Sequence, residues 1–388
     1  MIGKYSSLVK YIIAYIYRQY TKKRISSLVA WDKHKELSPG CTAIIGMCHL
    51  LPEVLIGNLR CLYDSSWPDL KEVIITVDSV EGCLPDGIEK KAREILKEID
   101  CKFIYYTKHQ AEVAEKIRLP FVFSWLSWSI CIQNCKTTHA LIHDYDALLL
   151  GDVLSAKYNT FKEQKDFAQG ISWYNGNGVE EVDHLATTFE LFVDIEWLLK
   201  FPPIDMFNQI GMIGKRTVDF DTLLYIQEKK IPENKRSIVK IPEESLVHPS
   251  QMIHQYTMFR RFPNKPMPSF SIILIPFFEW FSGKESALSA VCERMKARNE
   301  TCVDLLGIGA QWDLALLSSE SIDWALKQMV RVCIKHNIDP NQHLYEYGSH
   351  LYQLSSTPGN KIWAGDFSAE QREWINKASA LFESGSKR

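Results

Sequence analysis

The sequence has no C-x-x-C pair, no acidic residue before Asp32, no repeat or low-complexity tract, and no apolar run long enough to cross a bilayer. Each absence removes a class of protein. Ten cysteines scattered over 388 residues are not the framework of a small secreted domain, so a reducing, cytoplasmic setting is expected. Cys131, Cys135 and His139 fall four apart, one ligand short of a structural zinc site. The longest apolar stretches, Leu8 to Tyr17 and Phe270 to Phe281, are interrupted by Lys10 and Pro276 and fall short of the roughly 20 residues of a spanning helix. The second is expected to be a buried packing segment. No small-residue cleavage site follows the first, so a cleavable signal is not expected. A net charge of −2 lacks the basic excess of a nucleic-acid binder, and no nucleic-acid partner is expected. What remains is a chain with 46% hydrophobic and 24% charged residues, enough for a substantial core in one large domain plus an appendage.

From Cys41 a regular alternation begins. Thr42 to Met47 reads as a buried strand, Pro52 to Leu62 carries apolar residues at helical spacing, and Glu72 to Asp78 is a second strand. Gly87 to Ile99 repeats the helical period, and Lys102 to Tyr106 supplies a third strand. A polar connection with Lys108, His109, Lys116 and Arg118 follows, and Pro120 opens a long apolar helix through Cys135. Strands alternating with helices imply a mainly parallel sheet with helices on both faces, whose ligands bind beyond the carboxyl ends of the strands.

The stretch Thr137 to Leu150 holds the chemistry. Ala140, Leu141 and Ile142 read as a strand buried on both faces, and Asp144 and Asp146 stand just beyond its end with Tyr145 between them. Two carboxylates about 4 Å apart repel by about 4 kcal/mol at an effective dielectric of about 20, so their convergence asks for a cation. Mn²⁺ or Mg²⁺ fits, because either takes one or two carboxylates and fills its other positions with water and phosphate oxygens. Asp78, at the end of the second strand, should share that edge.

In this layout residues 40 to 255 resemble the nucleotide-sugar glycosyltransferases of the GT-A fold, particularly the family 2-like group. Thr42 to Met47 looks like their nucleotide-side strand, Asp78 with Ser79 like the acid that reads base or ribose, and His143-Asp144-Tyr145-Asp146 like their D-x-D motif. The resemblance implies that Asp146 ligates the metal directly, with Asp144 acting through water or the ribose. Asp166 to Gly178 looks like the next strand and a mobile loop by the acceptor site, and Thr217 to Lys229 like the acidic segment opening the helix of the catalytic base, which implies Asp221 or Asp219. Ser245 to Pro249 places His248 where members carry a late metal-site histidine, with His254 as the substitute. Glu180, Glu181 and Asp183 could supply the base instead. Departures are visible: His49-Leu50-Leu51-Pro52-Glu53 follows the first strand where members have Asn-Glu, and the processive mark Q-x-x-R-W is missing. Transfer of a single hexose from a nucleoside-diphosphate sugar to a hydroxyl on a glycan, a lipid-linked molecule or a protein is the activity implied. Two other readings are a haloacid-dehalogenase-type phosphohydrolase, whose D-x-D usually closes the first strand, and an inactive sugar-nucleotide fold serving as a membrane-surface adaptor.

The flanks read differently. On a helical wheel Val9, Ile12, Ile13, Ile16 and Tyr20 share one face while Lys4, Arg18 and Lys22 lie opposite, which fits either a helix on an anionic membrane surface through residues 1–24 or one docked on its own domain. Past Tyr256 the resemblance fades. A helical run with Ile322, Ala325, Leu326 and Met329, and a Ser368–Gln371 capping-box pattern before Trp374, suggest a helical appendage. The expected segments are 1–38 (basic amphipathic helix), 39–265 (GT-A domain) and 266–388 (helical region).

Overall fold

The structure, a computed structural model, describes residues 5–262, 270–296, 301–355 and 362–385. Lys4 and the expected 265/266 boundary lie outside the described residues. The chain opens with α1 (Leu8–Ile25), then builds the parallel heart of a seven-stranded sheet from four apolar runs: β1 (Ser38–Met47), β2 (Leu70–Val77), β3 (Asp100–Tyr105) and β4 (Thr137–Ile142). Ile44, Ile45, Ile74, Ile75, Leu141 and Ile142 are all fully buried, as in strands with covered faces. Between these strands lie α2 (Val54–Asp64), α3 (Ile88–Leu96), α4 (Lys108–Ile117) and α5 (Pro120–Asn134).

β1 pairs with β2 on one side and β4 on the other, Ile44 facing both Ile74 and Ile142. The chain thus steps outward to β3 and returns across β1 to β4. Right-handed crossovers put the helices of these opposite steps on opposite faces, α3 against β3 and α5 against β1 and β2. Gly46 permits the second approach, since a Cβ there would stand 3.0 Å from that of Ser127. The polar connection around Lys108 to Arg118 is itself helical. Its Thr107 and Gln110 form a reciprocal capping box, a local signal that outweighs the weak apolar period.

After β4 come β5 (Leu148–Leu149), α6 (Leu154–Gln164), β6 (Ala168–Gly170), β7 (Leu191–Asp194), α7 (Ile195–Leu198), β8 (Gln209–Ile213), β9 (Arg216–Phe220), α8 (Leu224–Lys230) and β10 (Arg236–Ile238). The sheet order is β10-β6-β7-β4-β1-β2-β3, with β7 antiparallel to both neighbours. This is the mainly parallel α/β sheet that the GT-A resemblance implied.

β8 and β9 form a separate antiparallel hairpin. Asp219 therefore lies on a strand, and the following helix begins only at Leu224. The expected helix-opening acidic segment is corrected accordingly: Val218 and Phe220 bury their side chains, a two-residue period that suits a strand. The Gly-Asn-Gly loop is tied to this hairpin, with the Asp219 amide donating to the Asn177 carbonyl at 2.9 Å. Gly178 sits at φ +91°, and a Cβ there would lie 2.5 Å from the Thr217 carbonyl oxygen. α1 docks on the same hairpin through its basic side, Arg18 on Asp219 and Lys22 Nζ on Gln209 Oε1 at 3.1 Å.

Contacts divide the chain into two compact units, the first comprising Met1–Pro52, Leu62–Tyr145 and Gly151–Glu243, the second Glu53–Cys61, Asp146–Leu150 and Glu244–Arg388. The second contains β11 (Leu246–Val247), α9 (Met252–Arg261), α10 (Ile275–Phe281), α11 (Ala287–Lys296), β12 (Cys302–Val303), β13 (Trp312–Asp313), α12 (Ser319–Lys335), α13 (Gln342–Leu354) and α14 (Ala369–Gly385). Its core includes the stretch before and through α10, where Ile272, Ile273, Phe277 and Phe278 are buried and Pro276 opens the helix rather than breaking one. The Tyr347 hydroxyl donates to the Ile273 carbonyl at 2.8 Å, fixing α13 to that segment. Ser368 and Gln371 cap α14 as their spacing predicts. Among the described residues no helix is long and apolar enough to cross a membrane.

Candidate metal centre

β4 delivers the chain into a turn held by the residues next to the aspartates. His143 is fully buried, its Nδ1 2.6 Å from Glu190 Oε1, and the Lys157 ammonium donates to the Glu190 carbonyl. Burial pushes Lys157 down to about 7, against the pull of Glu190. Two residues on, the Tyr145 hydroxyl donates to the Leu51 carbonyl. With His143 and Tyr145 fixed, the intervening Asp144 is half-buried and Asp146 nearly fully buried. A turn anchored on alternate residues holds its remaining side chains in defined positions without a ligand.

Asp146 meets His248 through a very short ladder. β5 pairs antiparallel with β11, Leu148 opposite Val247 and Leu149 opposite Leu246. Extending that register by one residue sets Ala147 opposite His248, and the observed separation of His248 Nε2 from Asp146 Oδ1 is 3.7 Å. Asn58 Nδ2 donates to the Ala147 carbonyl at 2.7 Å and steadies the same segment. Asp144 lies two residues before Asp146 on one continuous turn. These three side chains each offer a ligand atom within 4.8 Å of the others, the one such group of three among the described residues. Two carboxylate oxygens and one imidazole nitrogen make a donor set that fits a divalent cation, and the nitrogen moves the preference from Mg²⁺ toward Mn²⁺. The spacing of Cys131, Cys135 and His139 gathers no such group: the Cys131 thiol lies 2.9 Å from the Thr76 hydroxyl inside the core, and all ten cysteines are free thiols.

Asp78 stands at the end of β2, on the same sheet edge as Asp144 because β2 and β4 run parallel on either side of β1. His49 grips it twice, the His49 amide at 2.8 Å and Nδ1 at 2.6 Å from Asp78 Oδ1. The departure after the first strand thus has a visible use, since His49 orients the acid of the neighbouring strand.

The acidic pair of the hairpin splits. Asp219 is buried, with Arg18 Nη1 at 3.2 Å from Oδ1 and the Tyr5 hydroxyl donating to Oδ2 at 3.0 Å. Asp221 is half-buried just past the strand, its Oδ1 accepting from Asn208 Nδ2 at 2.7 Å and the Thr222 amide at 2.8 Å. Glu180 and Asp183 close a small capping turn and both face Arg216, Glu180 at 3.3 Å. Glu181 is in the same turn. His254 lies on α9, where burial and Arg261 push its imidazole below the ordinary range.

Sequence reasoning missed Glu190, Lys157 and the clamp of Arg18 and Tyr5. A buried Lys and Glu leave no local pattern, and Arg18 meets its partner 201 residues away.

No family model and no curated protein matches the chain. Among solved structures it is similar in shape to S. aureus TarS 1–349, at 11% identity over 90% of this chain and 91% of that one, with a TM-score of 0.36. It is similar also to the mannosyltransferase PcManGT from Pyrobaculum calidifontis in complex with GDP-Man and Mn²⁺, at 15% identity over 85% and 96% with a TM-score of 0.32. A third is core-mannan synthase A from Aspergillus fumigatus in its Mn/GDP form, at 7% identity over 56% and 79% with a TM-score of 0.33. Likenesses this faint carry no argument, and the chemistry rests on the geometry of the chain itself.

Proposed function

We propose that the chain is a metal-dependent glycosyltransferase of the GT-A, family 2-like type that moves one hexose from a nucleoside-diphosphate sugar to an acceptor hydroxyl. The observation that carries this reading is the Asp146–His248 pair with Asp144 beside it, at the carboxyl end of a central parallel strand. Diphosphate chemistry fits that position, because open α/β sheets bind ligands beyond their strand ends. Asp144, Asp146 and His248 would hold Mn²⁺, or Mg²⁺ less well. A cation bound there would offset the charge of the leaving diphosphate.

The remaining roles fall to the chain's own side chains. Asp78, oriented by His49, would accept hydrogen bonds from ribose or base. Asp221 is the proposed general base for an inverting transfer. Asp219 is the weaker candidate, since Arg18 and Tyr5 both engage its oxygens and would have to release them. The acceptor is a hydroxyl of a glycan, a lipid-linked molecule or a protein. The ten free thiols fit a reducing, cytoplasmic compartment.

A thermal-shift screen of nucleoside diphosphates with and without Mn²⁺ tests the reading. A ligand at about 100 times its dissociation constant adds about 2.7 kcal/mol of stability, and that gain should require the metal for at least one base. Metal-independent stabilisation, or none with any base, would overturn it, and a phosphoaspartate trapped on Asp144 would support the phosphohydrolase instead.

A further inference from the structure

Helix α1 is mounted with its amphipathic faces reversed. A helix on the surface of a soluble domain ordinarily turns its apolar stripe to the core. Here the basic side faces the protein: Arg18 is buried on Asp219 and against the Phe121 ring, and Lys22 reaches Gln209. The apolar side faces outward, with Val9 65%, Ile13 61% and Ile16 61% exposed and Leu8, Ile12 and Tyr20 exposed beside them. Scattered exposed apolar residues are ordinary, but several contiguous ones on a single helix mark an interaction surface.

The charge around the face identifies what it meets. Lys10 and Lys23 are exposed along it, Arg24 lies 5.7 Å over the Tyr20 ring, and the sequence holds no acid before Asp32. Tyr15 and Tyr17 add exposed aromatic rings at the border. An apolar stripe rimmed by tyrosine and by cations matches the boundary between acyl chains and anionic headgroups. A second copy of α1 matches poorly, because two such faces would bring lysines together with no acid on either helix to neutralise them.

We infer that α1 docks flat on an anionic lipid surface, its apolar face at the acyl boundary and Lys10, Lys23 and Arg24 among the headgroups. Arg18 and Tyr5 tie the helix to the hairpin that leads to Asp221, so the docked surface and the proposed base belong to the same unit. The inference goes beyond the transferase reading, and either stands if the other fails.

Co-flotation of the full chain with phosphatidylcholine vesicles, with and without phosphatidylserine, is the test. The full chain should float with the phosphatidylserine vesicles and weakly with neutral ones, and added salt should release it. Ile13→Glu and Ile16→Glu alter exposed positions only, so thermal melting should be unchanged while each lowers vesicle partitioning by about tenfold or more. Calorimetric binding of nucleoside diphosphate with Mn²⁺ should be unaffected in both. Equal flotation of variants and parent, or none for the parent, overturns the inference. So does sedimentation showing that the parent self-associates through this face and the variants do not, with no lipid binding by either.

Discussion

The chain carries the same short pattern twice, Asp144-Tyr145-Asp146 after a core strand and Asp219-Phe220-Asp221 at the end of a hairpin strand. Their fates differ because of what each acid meets. Asp219 meets a permanent cation from its own chain, Arg18, and becomes part of the fastening of α1. Asp146 meets a histidine at 3.7 Å with a second carboxylate close by, a grouping of metal-ligand types. The same spacing thus meets two different partners, and the roles proposed for the acids follow the partner rather than the spacing. Within the hairpin pair the same test separates Asp219, held by a guanidinium, from Asp221, held by an amide and a backbone N–H.

That contrast can be broken in several places. The largest effect is expected at Asp221: Asp221→Asn should lower turnover by about 10²- to 10⁴-fold, the usual contribution of a general base, with donor affinity hardly changed. Wild-type-like turnover in both Asp221→Asn and Asp219→Asn would move the base to Glu180, Glu181 or Asp183. Next comes Arg18→Ala, which takes the guanidinium from a buried carboxylate that Tyr5 still holds and should cost up to about 3–5 kcal/mol in denaturant unfolding. Pairing it with Asp219→Ala should recover part of the loss. A loss below about 1 kcal/mol would reduce the clamp to a surface contact.

A third effect is a pH dependence. Lys157 falls from its ordinary 10.5 to about 7 when buried, so between those values the unfolded chain holds the extra proton. Stability should therefore rise with pH across that window, and Lys157→Met should flatten the rise. An unchanged slope in the variant would mean that Lys157 keeps its charge in the folded protein.

The parallel strands β1 to β4 were legible because apolar runs mark them, and Asp144 and Asp146 because one such run ends in them; β7 and β10, of four and three residues, were not read. The step from Asp146 to His248 follows from β5 and β11, ladders of two residues each that are too short to show a period. α4 was hidden by its polar surface until the Thr107–Gln110 cap is recognised. The wheel of α1 separated its two faces correctly but could not say which one faces outward. That orientation is set by Arg18 and Asp219, 201 residues apart. Asp219 was assigned to a helix start because its strand is short and lies on no sheet edge that the alternation announces.

Mn²⁺ titration followed by electron paramagnetic resonance, on the wild type, Asp146→Asn and Asp219→Asn in the presence of nucleoside diphosphate, tests the account most directly. A neutral amide is a poor substitute for a hard anionic ligand, so Asp146→Asn should abolish the bound Mn²⁺ signal while circular dichroism stays native. Asp219→Asn, whatever it does to stability, should leave the signal intact. Retention of tight Mn²⁺ binding in Asp146→Asn, or its loss in a folded Asp219→Asn, would contradict the assignment of the two acidic pairs.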